Sequence, residues 1–288
     1  MQILMLGGTR FFGKHAVRAL LARGHDVTIG TRGKAPDAFG DQVRRIALDR
    51  HDPQSLRQKL SGQRFDVIVD NLCYCSNDVK YLLEAANCGR YVMTSTTAVY
   101  DKHWNTAEPE FDPLQKPLIW CDRAAFPYDE VKRQAECALF QCYPRVPAVA
   151  ARFPFVIGPD DYTRRLYFYV EHAVRGIPMH VDNLDRQMGF VRSDEAGALL
   201  AHLAESDFRG AVNGSSPQTI SIHEVLDFVR ARTGCDAILS GDGEPAPYNG
   251  ENEYSIDIGR AEGLGFRFSP LKEWISDLLE QYIAEARI

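Results

Sequence analysis

The chain has 288 residues, 45% of them hydrophobic and 25% charged, and these globular proportions exclude a disordered, collagen-like or coiled-coil chain. No apolar run reaches the roughly 18 residues of a membrane-spanning helix, and the net charge of −6 disfavours nucleic acid, so neither partner is expected. The seven cysteines are an odd number, and the first residues are typical of a strand rather than a signal peptide, so we expect reduced thiols and a cytoplasmic location.

The first half of the chain alternates short apolar runs with amphipathic helical patterns, which is typical of βαβ units around a parallel sheet. The predicted strands are residues 3–6, 27–29, 43–47, 65–69, 90–94 and 146–151. The predicted helices are residues 12–23, 78–87 and 129–142, and residues 101–126 form a long polar loop. A loop of that length inside a compact domain is usually functional or mobile.

The second half has a different pattern, which begins with the prolines and glycine of residues 154–159. Amphipathic helices are predicted at residues 221–232 and 269–286. We therefore predict a doubly wound parallel α/β sheet over residues 1–155 and a smaller C-terminal α/β lobe over residues 156–288. Residues 190–203 are expected to return to the first domain.

A glycine-rich turn, Gly-Gly-Thr-Arg-Phe-Phe-Gly at residues 7–13, separates the first strand from the first helix. This is where a dinucleotide-binding fingerprint belongs. Gly7 would allow the tight turn, Gly13 would allow close packing of helix on strand, and the first N–H groups of the helix would face a pyrophosphate. An ordinary strand-to-helix turn is the alternative, but the context favours a Rossmann-type NAD(P)-binding domain. The expected cofactor contacts in the turn are Gly7, Thr9, Arg10, Phe11, Phe12 and Gly13.

The end of the second strand indicates which cofactor is bound. Residues 30–33, Gly-Thr-Arg-Gly, lack the carboxylate that usually bonds the ribose 2′-hydroxyl of NAD. Arg32 is well placed for a 2′-phosphate, and Arg10 could approach the same phosphate with its fork of donors. The alternative is that both arginines are solvated surface residues. We predict NADP as the cofactor, with NAD as the alternative.

Tyr128 and Lys132 lie four residues apart and therefore share one face of a predicted helix. Residues 94–100 supply several hydroxyls at the carboxyl end of a predicted parallel strand, the edge where open α/β folds bind ligands. A neighbouring ammonium and a positive nicotinamide ring favour the ionised tyrosine, so Tyr128 could exchange a proton during hydride transfer. Lys132 could also hold the nicotinamide ribose, and Thr96 would orient the reacting oxygen.

These stretches, together with residues 49–52, 152–159, 190–196 and 257–266, resemble the short-chain dehydrogenase/reductase superfamily in its extended or atypical NAD-dependent epimerase/dehydratase branch. The resemblance covers nearly the whole chain. It implies a sheet of about seven strands, the catalytic set Thr96, Tyr128 and Lys132, and a possible homodimer. The further cofactor contacts that it implies are Asp49, Asn71, Leu72, Cys73, Phe153 and Phe155.

Two residues depart from the family pattern. Arg10 replaces the middle glycine of the turn, and Asp101 stands where a glycine usually follows the Val-Tyr pair. The Arg10 variant is typical of the atypical branch, some of whose members resemble chloroplast stem-loop-binding proteins and lack the Tyr-x-x-x-Lys pair. Because this chain keeps that pair, the pattern favours catalysis.

Candidate substrate contacts lie mostly in the second lobe. Arg164 and Arg165, with the neighbouring tyrosines, could grip a phosphate and stack on a base or sugar, although a lobe core with a solvated basic turn fits equally well. The expected substrate contacts are Thr97, Arg164, Arg165, Tyr167 and Arg192. Cys73 and Cys75 have no further ligands in register, and no two histidines are spaced three or four residues apart, so no metal is expected.

The leading hypothesis is an NAD(P)-dependent epimerase or dehydratase that acts on a sugar or nucleotide sugar. An NADPH-dependent carbonyl reductase is the first alternative, because it would use the same tyrosine and lysine. A non-catalytic NADP-sensing or RNA-associated protein on the same fold is the second.

Overall fold

Most strands of the central sheet are largely buried on both faces in the computed structural model, which describes residues 1–288. The strands are β1 (Gln2–Leu6), β2 (Asp26–Thr31), β3 (Arg44–Ala47), β4 (Arg64–Asp70), β5 (Asn87–Thr96), β6 (Ala148–Phe153), β7 (Phe155–Ile157), β8 (Met179–His180), β9 (Phe190–Arg192), β10 (Gly210–Asn213) and β11 (Glu244–Pro245). The α-helices are α1 (Phe11–Ala22), α2 (Pro53–Leu60), α3 (Ser76–Ala85), α4 (Tyr128–Cys137), α5 (Arg165–Arg175), α6 (Ser193–Glu205), α7 (Ile222–Thr233), α8 (Gly259–Gly263) and α9 (Leu271–Ala286).

Seven strands form one sheet in the order β10-β6-β5-β4-β1-β2-β3, and all neighbouring pairs are parallel. Helices α1 and α6 pack on one face, and α2, α3 and α4 cover the other. This arrangement confirms the predicted Rossmann-type doubly wound fold. Parallel strands joined by helices end at a common edge, so the residues that follow β1, β2, β4 and β5 come together there.

Several elements of the structure were not predicted from the sequence, among them β10, α5 and α2. The edge strand β10 has only four residues, and α5 is preceded by Arg164 in a left-handed conformation. Helix α2 has a clear start signal, since Asp52 accepts a hydrogen bond from the Gln54 N–H and a proline follows at the first helical position. The predicted helix at 129–142 is instead α4 followed by a short π-helical segment, Ala138–Cys142.

The C-terminal lobe has its own apolar core, which α5, α7 and α9 build with aromatic side chains. Two short parallel pairs complete it, β7 with β9 and β8 with β11. Helix α6 belongs to the first core, where Gly197 lies against α1 so closely that a Cβ would stand 2.6 Å from the Ala16 nitrogen. None of the helices has both the length and the apolar character of a membrane span.

Asp160 joins the start of the lobe to the first domain. Its carboxylate contacts Lys14 Nζ at 2.8 Å and His15 Nε2 at 2.9 Å, both on α1, and accepts from Ser193 Oγ at 2.8 Å. Burial alone would raise the pKa of Asp160, but the hydrogen bonds from His15, Lys14 and Ser193 outweigh it and hold the pKa well below its ordinary value. The ionised carboxylate therefore stabilises this junction.

Residues 111–126, hereafter the strap, run along α3 and α4 without regular structure. The Gln134 side chain on α4 accepts from the Ile119 N–H at 2.6 Å, and Gln141 donates to the carbonyls of Pro113 and Lys116. Ser76 on α3 donates to the Ile119 carbonyl at 2.8 Å. Much of the predicted loop at 101–126 is therefore held against the helices through its backbone.

Strand β10 is an edge of the central sheet, and side chains cover its outer hydrogen-bonding groups. Arg260 Nη1 donates to the Ala211 carbonyl at 2.8 Å, and the Asn213 N–H donates to Glu108 Oε1 at 2.9 Å. Glu108 itself is buried, with 5% of its surface exposed. Two outer backbone groups of β10 are therefore already hydrogen-bonded within the chain.

Candidate active site

Two adjoining cavities lie at the carboxyl edge of the central sheet. The first has a volume of about 620 Å³ and contains Tyr128, and the second has a volume of about 390 Å³ and contains the glycine turn. We call them the Tyr128 cavity and the glycine-turn cavity. They share the lining residues Phe11, Phe12, Asn71, Tyr74, Arg123 and Tyr162. The shared lining makes them one cleft that crosses the ends of β2, β1, β4 and β5.

The glycine turn brings the chain close to the cleft because its backbone is compact. Gly7 has a φ of +83°, and a Cβ there would lie 2.8 Å from Leu72 Cγ. A Cβ on Gly13 would lie 2.2 Å from the Gly7 carbonyl oxygen. Phe11 adopts a φ of +49° at the start of α1, a strained conformation for a bulky residue. Side chains larger than glycine would therefore force the turn open at positions 7 and 13.

Most of the predicted cofactor contacts line the glycine-turn cavity. They are Gly7, Thr9, Arg10, Phe11, Phe12, Arg32, Asp49, Asn71 and Leu72. Arg10, Arg32 and Lys34 are exposed cations in this lining, and none of them forms a salt bridge. Asp49 is the single carboxylate among the lining residues. The cavity therefore has an excess of positive charge, which suits a polyanionic ligand.

A buried arginine lies beneath the glycine-turn cavity. Arg50 Nε donates to the Leu72 carbonyl at 2.9 Å, and the guanidinium pairs with Asp70, which also accepts from Tyr91 Oη at 2.7 Å. Burial opposes the charge of Arg50, but the nearby Asp70 carboxylate outweighs this and raises the pKa of the guanidinium. Arg50 therefore stays charged.

Three residues of the cleft have polar atoms without hydrogen-bond partners. Arg50 Nη1, Asn71 Oδ1 and Thr94 Oγ1 are buried and have no hydrogen-bond partner within the protein. All three residues line the cleft. Because buried polar groups are nearly always hydrogen-bonded, a polar ligand that spans both cavities would complete them.

Tyr128, Lys132 and Thr96 line the Tyr128 cavity together. Tyr128 begins α4 and is half exposed, and its hydroxyl makes no hydrogen bond within the protein. Lys132 is 3% exposed, and its ammonium donates to the carbonyls of Cys73 at 2.7 Å and Thr94 at 2.9 Å. The Lys132 nitrogen lies 5.8 Å from the centre of the Tyr128 ring and 4.7 Å from that of Tyr74. The three side chains thus line one cavity at the end of β5.

A buried ion pair fixes α4 to the sheet below these residues. Glu136, one turn after Lys132, pairs with the fully buried Arg152 of β6 and accepts from Ser95 Oγ at 2.6 Å. Arg152 also donates to Tyr100 Oη at 2.8 Å. Because Ser95 precedes Thr96, the network holds the helix that carries Tyr128 and the strand that carries Thr96 in one arrangement.

Of the other predicted residues, four line the Tyr128 cavity and two predicted cofactor contacts line neither cavity. Thr97, Phe153, Phe155 and Arg165 line the Tyr128 cavity. Gly13 and Cys73 line neither cavity: Gly13 packs against Gly7, and the Cys73 thiol is buried in the apolar core under the sheet. Burial raises the pKa of that thiol, so it stays protonated. Only the Cys73 carbonyl reaches the site, through Lys132.

Three predicted substrate contacts line neither cavity, and their role stays a prediction. Arg164 pairs with Glu285 of α9 at 2.7 Å. Tyr167 is buried in the lobe core, with its ring 5.5 Å from that of Tyr282. Arg192 pairs with Asp194 at 2.6 Å. The lobe core and its ion pairs therefore engage these side chains.

Several lining residues were missed by the sequence analysis. They are Lys34, Arg50, Tyr74, Lys102, Arg123, Glu251 and Tyr254. Tyr74 directly follows the predicted contacts at 71–73, so its position after β4 was an available signal. Arg123 on the strap stacks on Tyr74, 3.6 Å from the centre of its ring. Glu251 and Tyr254 come from a distant part of the chain, and no local pattern marks them.

Comparison with known proteins gives relatives of two kinds. The chain is 26% identical over 217 residues to 2′-dehydrokanamycin reductase from Streptomyces kanamyceticus, which covers 72% of this chain and 59% of the reductase. It is 34% identical over 115 residues to the chloroplast stem-loop binding protein of 41 kDa b from Arabidopsis thaliana, which covers 35% of this chain and 30% of that protein. The chain thus spans less than two thirds of the length of either curated relative.

The fold also has counterparts among solved structures. The UDP-glucose 4-epimerase of Thermotoga maritima, solved with UDP-glucose, aligns over 100% of both chains with a TM-score of 0.79 and 17% identity. At that identity the likeness establishes the fold alone.

The family itself is identified by a model of the NAD dependent epimerase/dehydratase family, which matches residues 3–213. This match runs from β1 to β10, takes in well over half of the chain, and confirms the resemblance inferred from the motifs. The protein therefore belongs to the NAD-dependent epimerase/dehydratase family.

Proposed function

We propose that the protein is an NADP(H)-dependent enzyme that removes hydride from a carbinol carbon of a sugar or adds hydride to a carbonyl carbon, with Tyr128, Lys132 and Thr96 as catalytic residues. One observation carries this proposal: a tyrosine hydroxyl, a lysine ammonium and a threonine hydroxyl line one wall of a cleft that continues to the glycine turn. Open α/β sheets bind their ligands at this edge.

Each of the three side chains has a distinct role in the proposal. Tyr128, with its free and half-exposed hydroxyl, gives a proton to the substrate oxygen or removes one from it. Lys132 donates two N–H groups to the Cys73 and Thr94 carbonyls, so a third is left for the nicotinamide ribose. Thr96 Oγ1 accepts from the Ala98 N–H at 3.1 Å, which leaves its own proton for the substrate oxygen. When bound, the nicotinamide supplies or accepts the hydride.

NADP is the proposed cofactor because of the charge in the glycine-turn cavity. Arg10, Arg32 and Lys34 are free cations there, and Asp49 is the single opposing carboxylate. Asp49 Oδ1 already accepts from the His51 N–H at 3.0 Å. An additional phosphate on the adenosine ribose would gain charge-assisted hydrogen bonds from these side chains.

Two reaction types use this set of groups. An epimerase or dehydratase returns the hydride to its substrate, so its cofactor is catalytic. A carbonyl reductase consumes one NADPH for each carbonyl that it reduces, and the resemblance to 2′-dehydrokanamycin reductase over 72% of the chain favours this second candidate. The ratio of NADPH oxidised to product formed distinguishes the two.

Replacement of the tyrosine tests the proposal directly. Tyr128→Phe keeps the ring, so we expect unchanged NADPH binding and a fall in turnover of about 10²–10⁴-fold, the usual contribution of a proton-transfer group. Tyr81→Phe on α3, outside both cavities, is the matched control and should retain full activity. If Tyr128→Phe keeps its activity, or its cellular phenotype together with cofactor binding, the catalytic role is refuted and the sensor or RNA-associated alternative gains.

The homodimer inferred from the family resemblance stays a prediction. Sedimentation equilibrium at several protein concentrations, with and without NADPH, would test it.

A further inference from the structure

A Lys–Glu pair forms the wall of the Tyr128 cavity that faces the lobe. Lys102 follows β5 and Glu251 belongs to the lobe; their side chains form a salt bridge and are 14% and 28% exposed. Lys102 Nζ lies 4.1 Å from the centre of the buried Tyr254 ring. Both charged residues line the cavity together with Thr96 and Tyr128. Because their charges cancel, the pair presents a donor beside an acceptor without net charge.

Lys102 and Glu251 can each form further hydrogen bonds with a ligand. Glu251 Oε2 accepts from Lys102, and Oε1 has no partner within the protein. Lys102 donates only to Glu251, so two of its three N–H groups are free. Tyr254 supports Lys102 from below and is itself fixed, since its hydroxyl donates to the Gly189 carbonyl at 3.0 Å. The pair is therefore positioned before any ligand binds.

The lobe contributes little positive charge to this cavity. Arg165 is its one arginine in the lining, where its guanidinium lies 5.0 Å from the centre of the Phe155 ring. Arg164 and Arg192 are engaged by Glu285 and Asp194. The other arginine in the lining, Arg123, belongs to the strap and stacks on Tyr74, so the lobe side itself has one arginine for a diphosphate.

The lobe lines the Tyr128 cavity with few residues. Its lining residues fall in two short stretches, 155–165 and 251–254, and helices α7 and α9 contribute none. A nucleoside diphosphate attached to a sugar would need walls for a base and a ribose beyond the sugar itself. Neither α7 nor α9 supplies such a wall.

We propose that the substrate end of the cleft takes a compact polyhydroxylated ring ketone, or the corresponding alcohol, that carries no nucleotide. Lys102 and Glu251 are its specificity-determining residues: the ammonium donates to one ring hydroxyl and the carboxylate accepts from its neighbour. This inference rests on the proposed function, because the pair orients the ring whose carbonyl faces Tyr128 and Thr96. Reduction adds one hydride from NADPH to the carbonyl carbon and one proton from Tyr128 to the oxygen, and water returns the proton to Tyr128.

The experiment compares two ring ketones and two nucleotides on the NADPH-bound enzyme. The ketones are 2-keto-myo-inositol, which carries hydroxyls next to its carbonyl, and cyclohexanone, which carries none. The nucleotides are UDP and UDP-glucose, whose binding is followed by calorimetry. We expect reduction of the polyhydroxylated ketone, with kcat/KM at least about 100-fold above that of cyclohexanone, because a site built for hydroxyls rejects an analogue without them.

Variants separate the Lys–Glu pair from the rest of the site. Glu251→Gln is isosteric and should reduce the discrimination between the ketones by about tenfold, through a higher KM for the polyol, as expected for one lost charged hydrogen bond. Its Kd for NADPH should stay within about twofold of the parent value. Glu262→Gln makes the same change in an exposed pair with Arg267 and should change neither quantity. Lys102→Gln tests the donor in the same way.

The outcomes are distinguishable. UDP or UDP-glucose binding with a Kd below about 100 μM would overturn the inference, and so would unchanged discrimination in Glu251→Gln. Absence of reduction of either ketone while NADPH binds normally would also overturn it. Failure of the parent enzyme to bind NADPH would instead overturn the proposed function.

Discussion

The positive charge of the glycine-turn cavity predicts that replacement of Arg32 weakens NADPH binding. This arginine is exposed, lines the cavity and has no carboxylate partner, so its guanidinium is free to bind a phosphate. A hydrogen bond to a charged group contributes about 1.5–3 kcal/mol, and exposure to water argues for the lower end. Since 1.4 kcal/mol corresponds to a factor of ten, Arg32→Ala should raise the Kd for NADPH by about tenfold.

NADH lacks the 2′-phosphate, so its Kd should change by less than about twofold in the same variant. Titration with each reduced cofactor, followed by nicotinamide fluorescence, measures both constants. The difference should shrink in salt, because the screening length falls from about 10 Å at 0.1 M to about 3 Å at 1 M. Arg267→Ala, at an exposed site outside the cleft, is the matched control.

Equal losses for the two cofactors would refute the 2′-phosphate role of Arg32. An unchanged Kd for NADPH would refute it as well and would favour the alternative that Arg32 is a solvated surface residue. A difference that persisted in 1 M salt would show that a buried contact, rather than this exposed charge, distinguishes the cofactors.

Three further predictions concern the framework of the site. Gly13→Ala should weaken binding of both cofactors, because the new Cβ would lie 2.2 Å from the Gly7 carbonyl oxygen and must displace the turn; fluorescence titration measures this. Glu136→Ala should lower the free energy of unfolding by about 3–5 kcal/mol in urea, because it leaves the fully buried Arg152 without its counterion. Asp160→Asn should cost about 2 kcal/mol at pH 7. That cost should fall below about pH 4, since the low pKa of Asp160 stabilises the fold only while the carboxylate is ionised.

Matched variants make these three measurements interpretable. Gly241→Ala places a Cβ in open space and should leave cofactor binding unchanged. Glu262→Ala removes an exposed pair with Arg267 and should cost less than about 1 kcal/mol. A stability difference between Asp160→Asn and the parent that stays constant from pH 7 to about pH 3 would contradict the role of the ionised carboxylate.

The sequence was sufficient where the signal is local. Six of the seven strands in the central sheet could be predicted from local sequence patterns, and the glycine turn could be predicted from its spacing. Strand β10 escaped because Gly-Ala-Val-Asn is too short to show a pattern, and its place beside β6 is set by tertiary packing. Its pairing with Val149 to Arg152 exists only in the folded chain.

The site was predictable to the same extent. Tyr128, Lys132 and Thr96 could be selected because a helical spacing and a strand end place them near one edge. Arg164 could not be assigned, since its partner Glu285 lies in the last helix and no local pattern links the two. For the same reason the Lys102–Glu251 pair could not be predicted, because its two residues are far apart in the sequence and come into contact only in the folded protein.

The outer side of β10 has a consequence for behaviour at high concentration. An uncovered strand at the border of a sheet is a template on which a second molecule can add its own strand, the first step toward fibrils. Here Arg260 and Glu108 each hydrogen-bond one backbone group on that border from within the chain. Loss of either side chain would open a path to intermolecular strand addition.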